Sequence, residues 1–341
     1  MRECHFGSEE TIYKPVENED VFFVDTKGNG NVMSLAVLVD GADGRKKRIL
    51  PDGQEIALPD FVSGEKTPAR IWADLLQQEI AQIAMDHNKE LPEVVYEATK
   101  NATKEFPAVA GVNLPEKLDP LQIPAASVLV SRINNGIFEA FSNGDCGMVI
   151  RYQDGTVETY TGNEVLKKIR AKREETIMQN HPHFEEKSPE EQAKIRYLYM
   201  QKTKEALGKE YYTPFLGGAD KMKDFSRITR ILRDKRKDLS THGNGMMWSL
   251  ATRVEMVESV ALFSVGIEPA FMNEEIAKEF ITHTDKKQAM KMLEILSALG
   301  AVLKANQHAV AVQSVNNGKL QKVAFTDRTA LLFNLVDERQ L

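Results

Sequence analysis

Acidic residues stand at the ends of several predicted strands in this chain. Glu19 and Asp20 come directly before one apolar segment, and Asp40 and Gly41 come directly after the next. A tight hairpin between the two segments would bring these groups to neighbouring strand ends. Hard divalent ions such as Mg²⁺ and Mn²⁺ take carboxylate, carbonyl and water oxygens, and a glycine lets a backbone carbonyl approach closely. The pattern predicts a divalent-metal site in which Asp40 and the Gly41 carbonyl form a bridging pair.

Two later acidic turns are candidates for the same site. Gly144 and Asp145 join two predicted strands in the middle of the chain, and Asp327 precedes the last predicted strand. An isolated Asp-Gly pair is more often an ordinary turn. The order of the whole set, rather than any single member, therefore indicates metal chemistry.

Other reactive residues fit structural roles better. His181 and His183 are separated by a proline in a polar stretch, which favours a solvated turn over a zinc site. Cys146 follows Asp145, but no histidine is spaced to activate it, so we expect a packed thiol. None of these three residues is included in the candidate site.

Strand and hairpin signals surround the acidic turns. Two apolar segments, 21–24 and 35–39, are separated by a glycine-rich turn, and a second hairpin is predicted to turn at Asp52-Gly53. Thr67 and Pro68 supply an N-cap and a first-turn proline for a helix. That helix is predicted to bury one side, formed by Ile71, Leu75, Ile80 and Ile83. Residues 126–159 show four strand-like segments with Asn-Gly and Asp-Gly turns, and we expect an antiparallel meander there.

Composition changes sharply after the meander. Residues 162–245 are rich in Lys, Arg, Glu and Gln with helical spacing, and Ser188-Pro189 with Glu191 has the pattern of a capping box. Because strands flank this segment on both sides, we interpret it as a helical insertion within a single domain spanning 1–341. In the final part of the chain, the pattern predicts a strand at 260–263, helices from Asn273 and through 290–296, and strands at 309–312 and 330–335.

Bulk properties narrow the class of protein. A formal charge of −6 offers no general attraction to nucleic acid or anionic lipid. Two cysteines are too few for a disulfide framework, which favours a reducing, cytoplasmic location. The N-terminus lacks the basic and apolar regions of a signal peptide, and no uncharged apolar run of about 18 residues occurs, so secretion and membrane spanning are disfavoured.

Taken in order, these motifs resemble the PPM (type 2C) metal-dependent protein phosphatases. The resemblance rests on five short motifs spread over nearly the whole chain: Glu19-Asp20, the Asp-Gly-x-x-Gly of 40–44, the Gly-Asp-Cys-Gly of 144–147 followed by Asp154-Gly155, the strand at 260–269 and the strand at 325–333. It implies an α+β fold in which two antiparallel sheets form a sandwich flanked by helices. It also implies a site for two Mn²⁺ or Mg²⁺ ions whose activated water hydrolyses phosphoserine or phosphothreonine.

The resemblance also implies roles for individual residues. Asp40 would bridge the ions and Gly41 would give its carbonyl, while Glu19 and Asp20 would hold metal-bound waters or orient ligands. Asp145 matches a position that serves an additional metal in some members. Lys14 lies near the place of the family's phosphate-binding arginine and would contact phosphate as a point charge.

Departures from the family pattern leave three functional hypotheses. Val265 stands where a carboxylate ligand is expected, Thr326 replaces another and leaves Asp327 as a shifted substitute, and Ala42 replaces a frequent histidine. The first hypothesis is an active phosphatase acting on phosphoproteins. The second is a pseudophosphatase that binds a phosphoprotein or regulatory protein without turnover. The third is a hydrolase of nucleotides or small phosphoesters on the same scaffold.

Overall fold

The computed structural model describes thirteen stretches of the chain. They are residues 2–5, 19–27, 32–42, 47–49, 55–57, 66–111, 124–188, 191–192, 194–199, 202, 247–264, 274–282 and 329–334. The described strands are β1 (Arg2–His5), β2 (Asp20–Lys27), β3 (Val32–Ala42), β4 (Lys47–Ile49), β5 (Glu55–Ala57), β6 (Ala125–Asn134), β7 (Ile137–Asn143), β8 (Gly147–Tyr152), β9 (Val157–Thr161), β10 (Met247–Arg253), β11 (Val257–Phe263) and β12 (Thr329–Asn334). The described helices with defined bounds are α1 (Pro68–Ala84), α2 (Leu91–Ala110), α3 (Asn163–Asn180) and α4 (Glu274–Thr282), and residues 191–192 and 194–199 are also helical.

Two five-stranded sheets form the body of the protein. One has the order β10-β7-β6-β3-β2 and the other the order β1-β12-β11-β8-β9, and the pairs described in each are antiparallel. The short strands β4 and β5 pair separately, as expected for the second hairpin. The predicted α+β class with two antiparallel sheets is confirmed.

Successive residues of β3 belong alternately to two hydrophobic cores, one on each face of the sheet. Ala36 and Leu38 belong to a core cluster shared with Met148 and Leu262 of the other sheet, so this face lies between the sheets. Val37 and Val39 belong to a second cluster formed with α1 and α2. Because successive strand residues point to opposite faces, one apolar strand supplies both cores.

The helix predicted at Thr67 is confirmed as α1. Thr67 is its N-cap and its hydroxyl accepts the Arg70 N–H at 3.1 Å. A second helix, α2, packs on α1 and was not predicted from the sequence. It begins with a capping box at Glu90 and ends at Gly111, which has a φ of 65°. The two helices cover the outer face of the first sheet.

The expected meander of residues 126–159 is wrong at its centre. β6 pairs with β7 and β8 pairs with β9, but β7 and β8 belong to different sheets. The chain leaves the first sheet at Asn143 and enters the second at Gly147. Asn-Gly turns serve crossings between sheets as well as hairpins, so the turn signal alone could not separate the two.

The charged segment begins as predicted with helical structure. α3 occupies its first part, and the capping box at Ser188 is confirmed, since the Ser188 N–H donates to the Glu191 carboxylate at 3.1 Å and the Glu191 N–H donates to the Ser188 hydroxyl at 3.3 Å. His183 lies 3.3 Å from Glu186 and both are exposed, which fits a solvated turn. Residues 203–246 lie outside the described stretches, so the single-domain interpretation with an insertion at 162–245 stays a prediction.

The C-terminal predictions are confirmed where the structure describes them. The strand at 260–263 lies within β11, the helix from Asn273 is α4, and the last predicted strand is β12. The helix predicted at 290–296 and the strand at 309–312 lie outside the described residues. Among the described helices, none combines the length and apolar character needed to cross a bilayer.

Candidate functional site

Two aspartates meet at one edge of the sandwich. Asp20, the first residue of β2, lies opposite Asp40 near the end of β3. Asp20 is fully buried and Asp40 is 8% exposed. Both lie on the face of the sheet that also carries Phe22 and Leu38, and that face borders the space between the two sheets. Directly opposite residues in antiparallel strands have Cβ atoms about 4.5–5.5 Å apart, so their carboxylates share one small volume.

A glycine is required at position 41 because α1 packs closely against the face of the sheet opposite to the one that carries Asp40. A Cβ atom at this position would lie 2.9 Å from the Ala69 carbonyl oxygen and 3.0 Å from that of Glu19. The Gly41 N–H donates to the Glu19 carbonyl at 3.3 Å. The strand end that carries Asp40 is therefore pressed directly against the first turn of α1.

Glu19 is bound to α1. The Thr67 hydroxyl donates to the Glu19 carboxylate at 2.6 Å, and an Arg70 guanidinium nitrogen donates to the Asp20 carbonyl at 3.3 Å. Arg70 also pairs with Asp74 at 3.1 Å. The sequence pattern groups Glu19 with the metal site, whereas the structure places its carboxylate at the N-terminus of a helix. There it anchors the strand that begins with Asp20.

Thr67→Ala is expected to loosen this anchor. The change removes the helix N-cap and the Glu19 partner together, so we expect a loss of about 1–2 kcal/mol in unfolding free energy, measured by urea denaturation. Thr67→Ser keeps the hydroxyl and should restore most of the loss. A serine variant as unstable as the alanine variant would contradict a role for the hydroxyl.

Asp145 lies on the crossing between the sheets and is held by Ser127 of β6. The Asp145 N–H donates to the Ser127 hydroxyl at 3.1 Å, and that hydroxyl donates to Asp145 Oδ1 in a short contact. Ser127 is also the residue of β6 that lies opposite Asp40. Ser127 therefore holds Asp145 and lies opposite Asp40 in the sheet. Sequence reasoning missed this serine because the Ala-Ala-Ser at the start of the strand matches no metal motif.

The thiol of Cys146 is fully buried, directly after Asp145 in the sequence. Burial is the largest cause that raises the pKa of Cys146 well above its ordinary value, followed by the negative charges of Asp40, Asp145 and Asp20. A hydrogen bond from the Asp40 backbone acts in the opposite direction. Cys146 is therefore a neutral packed group, as predicted, and all three aspartates lie within electrostatic reach of it.

This edge can supply carboxylates to a hard divalent ion. Among the described residues, no group of three or more His, Cys, Asp or Glu side chains is close enough to hold a metal by itself. Mg²⁺ is commonly held by one or two carboxylates, with water and substrate phosphate completing the octahedron, and Asp20 with Asp40 matches that need. A cation would also relieve the repulsion between buried like charges. Lys14, Val265, Thr326 and Asp327 lie outside the described residues, and their roles stay predictions.

No protein-family model matches the chain, and no curated protein sequence does. Among solved structures, the chain is similar to the serine/threonine phosphatase Stp1 from Staphylococcus aureus, with 12% identity over 98% of this chain and 94% of that chain and a TM-score of 0.47. It is similar to the catalytic domain of the serine/threonine phosphatase PstP in complex with two manganese ions, with 11% identity over 97% and 94% of the two chains and a TM-score of 0.44. A third similar structure is PppA, described as a key regulatory component of T6SS in Pseudomonas aeruginosa, with 12% identity over 97% and 96% and a TM-score of 0.43.

Proposed function

We propose that this chain is a divergent PPM-type phosphatase that hydrolyses phosphoserine or phosphothreonine in proteins with Mn²⁺ or Mg²⁺. The observation that carries the proposal is the buried pair of Asp20 and Asp40, facing the space between the sheets at one edge. Two carboxylates that share one small volume supply the oxygen ligands that a hard divalent ion takes. The order of the acidic motifs along the chain supports the same class.

In this proposal, each described acidic residue has one task. Asp20 and Asp40 would hold the ion, the Gly41 backbone would lie beside it, and Asp145 would serve a further ion. A bound ion supplies an activated water and neutralises phosphoryl oxygens. Around it the chain's own groups keep their positions: Glu19 and Thr67 fix the start of β2, and Ser127 fixes Asp145.

Substrate binding in this proposal depends on residues outside the described stretches. Lys14 would contact the substrate phosphate as a point charge. Asp327, two residues before β12 in the sequence, would add a carboxylate. The partner would be a phosphoprotein substrate or a regulatory protein.

The test is phosphate release by the purified full chain. The substrates are a phosphothreonine peptide, a chromogenic phosphate ester and ATP, each with Mn²⁺, Mg²⁺ or a chelator. We expect release from the peptide with metal, loss of release with the chelator, and recovery when metal is added back. Val265→Asp is expected to increase the rate, because it restores a carboxylate at the position where the family has one.

Two results would replace the proposal with its alternatives. A parent chain that releases no phosphate with either metal, while Val265→Asp does, would indicate a pseudophosphatase. Fast release from ATP and none from the peptide would indicate a nucleotide hydrolase.

A further inference from the structure

We propose that the basic segment of α3, residues 167–173, is a docking surface for an acidic segment of a partner protein. Five of these seven residues are Lys or Arg and none is acidic. The inference rests on the proposed function for the identity of the partner, a phosphoprotein, whereas the acidic character of the partner follows from the charges of α3.

Charge is distributed unevenly along the chain. Residues 162–245 hold 19 Lys and Arg against 13 Asp and Glu, a net charge of +6. The remaining residues hold 25 against 37, a net charge of −12. The total of −6 therefore conceals a basic segment that attracts anionic partners.

Three basic side chains of α3 are open to solvent. Lys168, Arg170 and Lys172 are exposed, and none of them has an ion pair or hydrogen bond from its side chain to the described part of the chain. Residues 170–172 are all exposed, and with about 3.6 residues per turn three consecutive residues cover more than half of a helix circumference. This part of α3 therefore projects into solvent.

The acidic residues that follow the basic segment are bound to other groups. Glu174, four residues after Arg170, pairs with Arg196 at 3.2 Å. Glu175 accepts a hydrogen bond from Gln179 at 3.3 Å. Because these carboxylates are directed elsewhere, the charges of the basic segment stay available to an external anion.

An acidic peptide fits this surface better than a bilayer or a nucleic acid. The exposed residues within 168–173 are three basic residues and Ala171, so the segment offers no apolar face to bury in a membrane. The net charge of −12 on the rest of the chain would repel the phosphates of a long nucleic acid. A short peptide can contact the basic segment alone, and its carboxylates form charge-assisted hydrogen bonds with Lys and Arg.

α3 begins close to the acidic edge, the sheet edge that carries Asp40. Thr161, the last residue of β9, pairs with Gly147, the first residue of β8. Asp145 comes two residues before Gly147, and α3 starts at Asn163, two residues after Thr161. The basic segment thus follows closely on the edge where the proposed function places the substrate phosphate.

The test is the binding of a fluorescent Glu-rich peptide without phosphate to the purified full chain, measured by anisotropy. Lys168→Glu/Lys172→Glu is expected to weaken binding about 10-fold or more, because two attractive charges become repulsive. Lys168→Gln/Lys172→Gln should give a smaller loss in the same direction. Glu and Gln form helices about as well as Lys, so α3 should remain in both variants. Binding to the parent should weaken as salt is raised, and a peptide with Gln in place of Glu should not bind.

Lys100→Glu/Lys104→Glu is the matched control. Lys100 and Lys104 are exposed on α2 with the same four-residue spacing, and the control variant has the same net charge as Lys168→Glu/Lys172→Glu. It should bind the Glu-rich peptide as tightly as the parent. Equal losses in the two charge-reversed variants would show that net charge alone matters and would overturn the inference.

Two other results would also overturn it. One is a parent that does not bind the Glu-rich peptide. The other is a parent that binds phosphatidylserine vesicles or a DNA duplex more tightly than the peptide, with the binding lost in Lys168→Glu/Lys172→Glu.

Phosphate release separates this inference from the proposed function. Where both hold, adding the Glu-rich segment to a phosphothreonine peptide should lower KM and leave kcat unchanged, and Lys168→Glu/Lys172→Glu should lose that gain. A parent that binds the Glu-rich peptide and hydrolyses nothing would sink the phosphatase proposal while the binding still supports the docking surface. A parent that hydrolyses the acidic and neutral phosphopeptides with the same KM would overturn the docking surface alone.

Discussion

Asp40→Asn is expected to abolish metal-dependent phosphate release and to raise the stability of the metal-free protein. Asp40 is buried opposite Asp20, and both charges act on the same thiol as Asp145. An asparagine keeps the shape and removes one of the crowded charges, so we expect the unfolding free energy without metal to rise by about 1–2 kcal/mol. The same change removes a proposed metal ligand, so phosphate release should fall more than about 100-fold, a larger loss than removing a residue that only orients a ligand usually causes.

The measurement pairs a phosphatase assay with urea denaturation in the presence of a chelator. Asp25→Asn is the matched control, since Asp25 lies on the same hairpin and accepts a hydrogen bond from Ser34 at 2.5 Å, away from the acidic edge. It should leave activity intact and lower stability slightly. If Asp40→Asn lowered the unfolding free energy of the metal-free protein as Asp25→Asn does, repulsion between the charges at this edge would not be reducing its stability.

Local rules were enough to predict the elements that carry the acidic residues. Two apolar segments around a glycine-rich turn indicated the β2–β3 hairpin, and Thr67 with Pro68 indicated the start of α1. Both depend on contacts within a few residues, where propensity and capping dominate. The crossing between β7 and β8 depends on which sheet each strand joins, and that choice is made by packing between strands distant in sequence.

The candidate site likewise combines features that local sequence predicts with features that depend on residues distant in the sequence. The aspartates could be predicted because carboxylates before and after paired strands must meet at one edge. Glu19 was grouped with these aspartates. Adjacent residues at the start of a strand point to opposite faces, so this rule could have predicted from the sequence that Glu19 and Asp20 point in different directions. The partners Thr67 and Ser127 could not be found, because each reaches its carboxylate across 48 or 18 residues of sequence. Hydroxyl groups have no spacing rule over such distances.

Arg132 is the second position where we expect a large effect, and it acts on stability. It lies in β6 on the face toward the helices, is 2% exposed, and pairs with Glu139 of β7 at 2.9 Å. Its guanidinium also donates to the carbonyl oxygens of Ala84 and Asp86, both at 3.2 Å, and to that of Lys89 at 2.5 Å. One buried side chain therefore binds the carbonyl groups at the end of α1 and in the connection to α2.

Arg132→Met fills a similar volume but leaves these carbonyls and Glu139 without their donor. We expect the unfolding free energy to fall by about 3–5 kcal/mol, the cost of removing one partner of a buried charge pair. Arg151→Met is the control, because its pair with Glu258 at 2.7 Å is partly exposed and should contribute less than about 1 kcal/mol. Similar urea midpoints for the two variants would contradict the assigned role of Arg132.

Arg132→Met also tests whether stability and metal binding can change independently. The α1 residues near Arg132 lie at the end of the helix opposite Thr67, about 25 Å away for a helix of this length. Where Arg132→Met remains folded, its Mn²⁺ affinity should equal that of the parent. Asp40→Asn should show the reverse, a stable protein with no bound metal. A chain whose metal site was only a by-product of packing would lose stability and metal binding together in both variants.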